Sequence, residues 1–171
     1  IDMLAYGIAT GMSQGVIPLI GYNYSSKNYE RMKKVILTTF VLSLSVAFVF
    51  AIMLFTCAHA IVKAFIEDDL TVEYGRTFQR IICITGPCIS VTLIIITIYQ
   101  SMGKKFQPLF LSLLRKGGLD IPFMFLMNAF MGVNGIVWAT PIADFAAMII
   151  AILLFIPVLI RIKEPKNNEY V

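Results

Sequence analysis

The sequence predicts an all-α integral membrane protein, a bundle of about five transmembrane helices, and three observations carry that reading. Only 14% of the 171 residues are charged while 58% are hydrophobic, whereas soluble domains carry about 25% charged residues. So few polar groups cannot coat a globule of this size. Segments 35–58, 81–102 and 136–160 are uncharged except for Asp144, and about 20 apolar residues rising 1.5 Å each suffice to cross roughly 30 Å of hydrocarbon. Finally, no segment shows the alternation of apolar and polar residues over about ten positions that a membrane β-barrel requires.

The expected spans are about 3–22, 35–58, 81–102, 107–130 and 136–160. In the first, Gly7, Gly11 and Gly15 recur every fourth residue, forming one bare stripe. Such a stripe lets a neighbouring helix approach closely, or marks a helix that moves or lines a cavity. Pro18 follows and is expected to bend the helix near its end. Pro87, Pro122, Pro141 and Pro157 also fall inside spans. Each removes one backbone hydrogen bond and frees a carbonyl, as in the broken helices of transporters. A short interfacial helix is expected within 62–80. The three cysteines, Cys57, Cys83 and Cys88, read as small buried hydrophobes, and Trp138 with several tyrosines as interfacial anchors.

Basic residues sort the connections. Lys27, Arg31, Lys33 and Lys34 lie in 23–34, Lys104 and Lys105 in 103–106, and Arg161, Lys163 and Lys166 in the tail 161–171. The alternate connections carry only Lys63, Arg76 and Arg80. Nine against three places the first set, and the C-terminal tail, in the cytoplasm. The acidic cluster Glu67, Asp68, Asp69 and Glu73 then faces outward.

Charges within spans are the candidate functional groups, because a carboxylate at the bilayer centre costs about 2.5–3.5 kcal/mol on insertion scales. Asp144 in the last span is the first candidate, for proton or cation binding or for a structural hydrogen bond. In "LLRKGGLDIP", Lys116 and Asp120 are i,i+4 neighbours that pair locally. Arg115 stands about 140° from Asp120 on an α-helix and shares no face with it. It is expected to snorkel, or to meet Asp144 or an anion. Gln14 and Gln100 are polar at membrane depth and are candidates to line a path. No phosphate loop, metal-ligand spacing or nucleophile–base arrangement is present, so no catalytic residue, metal, organic cofactor or nucleic-acid partner is expected.

These residues carry a resemblance. "GMSQGVIPLIGYNYSSKNYERMKK" resembles the eighth helix and following cytoplasmic loop of the multidrug and toxin extrusion (MATE) transporters. "TGPCIS" with "YQSMGKKFQP" is similar to their tenth helix and its exit, "SLLRKGGLDIP" to the eleventh, and "GVNGIVWATPIAD" to the entry of the twelfth. Ser25 and Ser26 stand where the family often has Gly-Ala. The resemblance implies a twelve-helix, two-lobe protein of which this chain is part of the C-terminal lobe, helices eight to twelve, the N-terminal lobe being the missing partner. It also implies export of amphipathic or cationic drug-like compounds in exchange for H⁺ or Na⁺ by alternating access. The opening Ile1–Asp2, already entering an apolar segment, fits a fragment of a longer polypeptide. The Ile- and Lys-rich usage suggests a bacterial cell membrane. The tenth-helix segment carries no acid, so no family coupling residue transfers to it. The alternatives are a flippase for lipid-linked oligosaccharides of the same superfamily, and a non-transporting membrane remnant.

Overall fold

The computed structural model describes residues 2–65 and 68–163, and every regular element among them is helical. The order is α1 (Asp2–Ser25), α2 (Tyr29–Lys63), α3 (Asp69–Cys83), α4 (Gly86–Ser101), α5 (Phe106–Leu113), a π-helical turn (Leu114–Leu119), α6 (Asp120–Met131) and α7 (Val133–Lys163). Glu67 of the acidic cluster and the tail beyond Lys163 lie outside the described residues.

The connection expected at 23–34 is much shorter than its charge pattern implied. Lys27 takes a left-handed conformation, φ 55°. The amide of Lys27 donates to Tyr24 and that of Asn28 to Asn23, which together close α1 with a Schellman motif. The side chain of Asn28 then accepts from the amide of Arg31 and starts α2. The basic residues Arg31, Lys33 and Lys34 are therefore on the first turns of α2, not in a loop. Gly21 lies inside α1, where a Cβ would stand 3.3 Å from the carbonyl oxygen of Ser101. Its missing side chain lets α1 and the end of α4 come together.

The short helix expected within 62–80 is α3, and it extends into the predicted third span. Asp68 caps it by accepting from the amide and hydroxyl of Thr71, and these bonds hold its carboxyl below the usual aspartate range. A break at Ile84 and Thr85 bends α3 from α4 by 41°. Pro87 is thus a correction: it occupies the first turn of α4, where its absent N–H leaves no helical bond unmade. Pro18 lies within α1, and Pro141 and Pro157 within α7; both helices continue past them.

α4 is the central helix. It packs against α1, α2 and α7, and Ile94 through Tyr99 are buried all round, as befits a helix enclosed by others. Ile20, Met32, Ile36, Leu111 and Phe155 complete the core around it. Tyr99 is not an interfacial anchor: it is 2% exposed, and its hydroxyl donates to the carbonyl of Leu154 at 2.6 Å. That carbonyl lies next to the carbonyl of Leu153, which Pro157 leaves without its helical donor. Of the cysteines, Cys83 is buried, Cys88 half-buried and Cys57 exposed, which corrects the expectation for Cys57.

Among the described residues α2 and α7 are each long and apolar enough to cross a membrane, and the bent α3–α4 pair is a third if it forms one span. α5 and α6 are kept short by the π-turn between them. Large apolar side chains, including Phe106, Phe125 and Phe130, stay mostly exposed on the outer faces, as lipid contact requires.

Candidate functional site

The site forms where α5 gives way to α6. Pro122 has no N–H to offer the carbonyl four residues earlier, at Gly118. Gly117 and Gly118 resist distortion little. The chain responds by widening into a π-turn over Leu114–Leu119, a departure that often accompanies functional positions. Proline here therefore remodels the turn upstream of it.

Within that turn adjacent residues point opposite ways. Arg115 goes inward, 4% exposed, and its Nε donates to Oδ1 of Asp144 at 2.7 Å. The two side chains are 5% and 4% exposed. Of the outlets the sequence left open for Arg115, the ion pair with Asp144 is the one realised. Lys116 points out, its side chain 61% exposed, with its Nζ 3.9 Å from Oδ2 of Asp120. That is the local pair the i,i+4 spacing predicted, at the edge of ion-pair reach.

Oδ2 of Asp144 and Oδ1 of Asp120 are enclosed and accept no hydrogen bond among the described residues. Such an oxygen costs about 1–3 kcal/mol or more, so each marks a place where a water or cation would be stabilised. The four charges Arg115, Lys116, Asp120 and Asp144 sum to zero. Removing charge from Asp144 alone would leave a buried guanidinium without its counter-ion, a loss of about 3–5 kcal/mol.

The remaining candidates do not converge on this site. Gln14 and Gln100 are exposed. Among the described residues, a Cβ on Gly7, Gly11 or Gly15 would meet nothing within 4 Å, so no neighbouring helix packs on the glycine stripe there. α1 instead uses Ile20, on another face, in its contact with the core. The small-residue stripe that is packed lies on α7, where Ala139, Ala143, Ala147 and Ala151 are each at most 1% exposed. That i,i+4 repeat was present in the sequence, but alanines are common enough in apolar helices to hide it. Among the described residues, no three His, Cys, Asp or Glu side chains gather as metal ligands.

Comparison with known proteins gives this architecture its relatives. The chain is 32% identical over 152 residues to the multidrug export protein MepA of Staphylococcus aureus strain N315, covering 86% of the chain and 33% of that protein. It thus spans about a third of the length of the curated relatives it matches. Its fold superposes with TM-score 0.88 on an inward-facing multidrug resistance MATE transporter of the MOP superfamily, at 15% identity over 95% of the chain and 38% of the other. That likeness speaks for the fold alone. The MATE multidrug transporter DinF-BH, solved with a ligand bound, matches with TM-score 0.78 at 29% identity, covering 91% of the chain and 35% of its own. The MatE family model matches residues 1–126, close to three-quarters of the sequence and through the whole π-turn, and the chain belongs to that family.

Proposed function

We propose that the chain is part of the C-terminal lobe, helices eight to twelve, of a twelve-helix secondary transporter that expels amphipathic or cationic drug-like compounds in exchange for H⁺ or Na⁺. The observation that carries the reading is the similarity to multidrug export proteins over 86% of the chain, in a fold shared with MATE transporters. In this reading α1, α2, α3–α4, α5–α6 and α7 make five crossings, the basic turns are cytoplasmic, and the protein sits in a bacterial cell membrane. The other lobe comes from the rest of the polypeptide.

The buried pair contributes a charge balance that ion or substrate binding would disturb. A cation settling on the free oxygen of Asp144, or a proton taken there, competes with Arg115 for the carboxylate. The cost of parting them is transmitted to the packing of α6 and α7. Asp120 is the secondary acid, and Gln14 and Gln100 are polar groups available to a path at the lobe interface. The neutral sum of charges at the π-turn does not supply the cationic cavity that a pyrophosphate-linked lipid needs.

The test is efflux of a cationic dye from vesicles holding the full-length polypeptide, with a pH or sodium gradient imposed. Gradient-driven export is expected. If neither gradient drives export of any cation, the antiporter reading fails. In the same assay Asp144→Asn is expected to change the dependence on pH or sodium; an unchanged dependence would remove Asp144 from coupling.

A further inference from the structure

An open groove of about 600 Å³ runs between α1 and α2. Gly11 and Gly15 form its floor on α1, with Leu19 and Leu42 along its sides and Arg31 and Lys34 at the end nearest the α1–α2 turn. Both cations are exposed and lie one helical turn apart. Among the described residues, neither forms an ion pair. Among the described residues nothing fills the groove over the glycines: a Cβ on either would find no atom within 4 Å.

Length and charge identify an occupant. From Arg31 to Leu42 the rise along α2 is roughly 16 Å, about half the roughly 30 Å hydrocarbon core. The groove is therefore about as long as one leaflet's acyl layer, mostly apolar along that length apart from Thr38, Thr39 and Ser43, and cationic only at the end where headgroups lie. The two exposed cations at that end favour an anionic headgroup, which an apolar helix face alone would not supply. We propose that this groove binds one anionic phospholipid. Its phosphate sits between the Arg31 guanidinium and the Lys34 ammonium, and one acyl chain lies over Gly15 and Gly11. Paired donors on phosphate are strong contacts, and basic pockets between helices on the cytoplasmic side suit anionic headgroups. The inference depends on these helices lying in a bilayer and not on the transport cycle.

The experiment uses the full-length polypeptide in mild detergent, with bound lipid counted by native mass spectrometry during titration with phosphatidylglycerol or phosphatidylcholine. Phosphatidylglycerol is expected to bind preferentially. R31Q/K34Q is expected to weaken it about thirtyfold, at about 1 kcal/mol for each basic residue. Glycerol phosphate at the same concentration should not displace the lipid; displacement as effective as the lipid's own would mean a free-phosphate site and overturn the proposal. G15L, which fills the floor and leaves both cations, should also weaken binding. Unchanged lipid affinity in R31Q/K34Q overturns the proposal outright. If G15L then also fails to elute as a single species, the groove is a seat for another helix of the polypeptide.

Discussion

Arg115 and Asp144 are the residues whose energetics are most exposed to test. Each alone in hydrocarbon is costly, and together they satisfy one hydrogen bond at 2.7 Å while one carboxylate oxygen remains free. A buried pair of this kind is weak evidence for stability, because the desolvation of two charges offsets their attraction. The signature is therefore non-additive. Arg115→Met or Asp144→Leu alone should destabilise the full-length protein by about 3–5 kcal/mol, since each leaves one buried charge. The double substitution should cost much less than either. Thermal melts in detergent of the four proteins decide it, and additive losses would show that the two charges are not energetically paired. Both residues were visible in the sequence as charges inside apolar spans; their partnership was legible only as one of three outlets for Arg115. Helical spacing relates residues within one helix, and these two are 29 residues apart across a turn. Lys116 and Asp120, four apart, show the opposite case, where spacing alone predicted the contact.

Elements follow the same division between what is local and what is not. The helical segments were legible because charge and turn residues interrupt the apolar runs: Lys27 and Asn28, Gly103, and Gly132 each stand at a boundary. The two breaks within apolar stretches were less so. Composition is continuous across Ile84 and Thr85, so the 41° bend between α3 and α4 left no gap in hydrophobicity. The π-turn was announced only indirectly, by Gly117 and Gly118 ahead of Pro122. α3 owes its seat on α2 to a close approach that is also invisible in a single sequence. A Cβ at Gly75 would lie 2.8 Å from Cγ1 of Val62, and a β-branched valine has little freedom to withdraw. Gly75→Ala should therefore destabilise the protein, by about 1–3 kcal/mol of overpacking less roughly 1 kcal/mol of helix propensity. On a Val62→Ala background the clash is gone and the sign should reverse, Gly75→Ala now stabilising by up to about 1 kcal/mol. A loss of equal size on both backgrounds, read from the same thermal melts, would mean that another neighbour, not Val62, limits the site.

At the scale of the whole molecule, the proposed arrangement in the membrane rests on counting charges over helices that alternate in direction. In the proposed topology, five crossings put the α1–α2 turn and the turn after α4 on one face, and the α6–α7 turn on the other. The α1–α2 turn is followed at once by Arg31, Lys33 and Lys34, while 131–135 carries no charge. Basic residues near the ends of spans resist translocation and acids contribute little, so the outward position proposed for Asp68 and Asp69 does not alter the sum. The native thiols Cys57, Cys83 and Cys88 must first be replaced, together with any others in the full-length polypeptide. In intact cells, a membrane-impermeant maleimide is then expected to label Asn134→Cys and to leave Ser26→Cys unmodified until the membrane is permeabilised. In that topology the two sites sit at helix ends separated by an odd number of crossings, α2 through α6, with α3–α4 and α5–α6 each crossing once. If α3 were instead a complete crossing separate from α4, that number would become even and both positions would label alike. The same experiment thus tests the orientation and the treatment of the bent pair as one span. Protection of Asn134→Cys with labelling of Ser26→Cys would invert the protein, and would move Arg31 and Lys34 to the leaflet where anionic lipid is scarce.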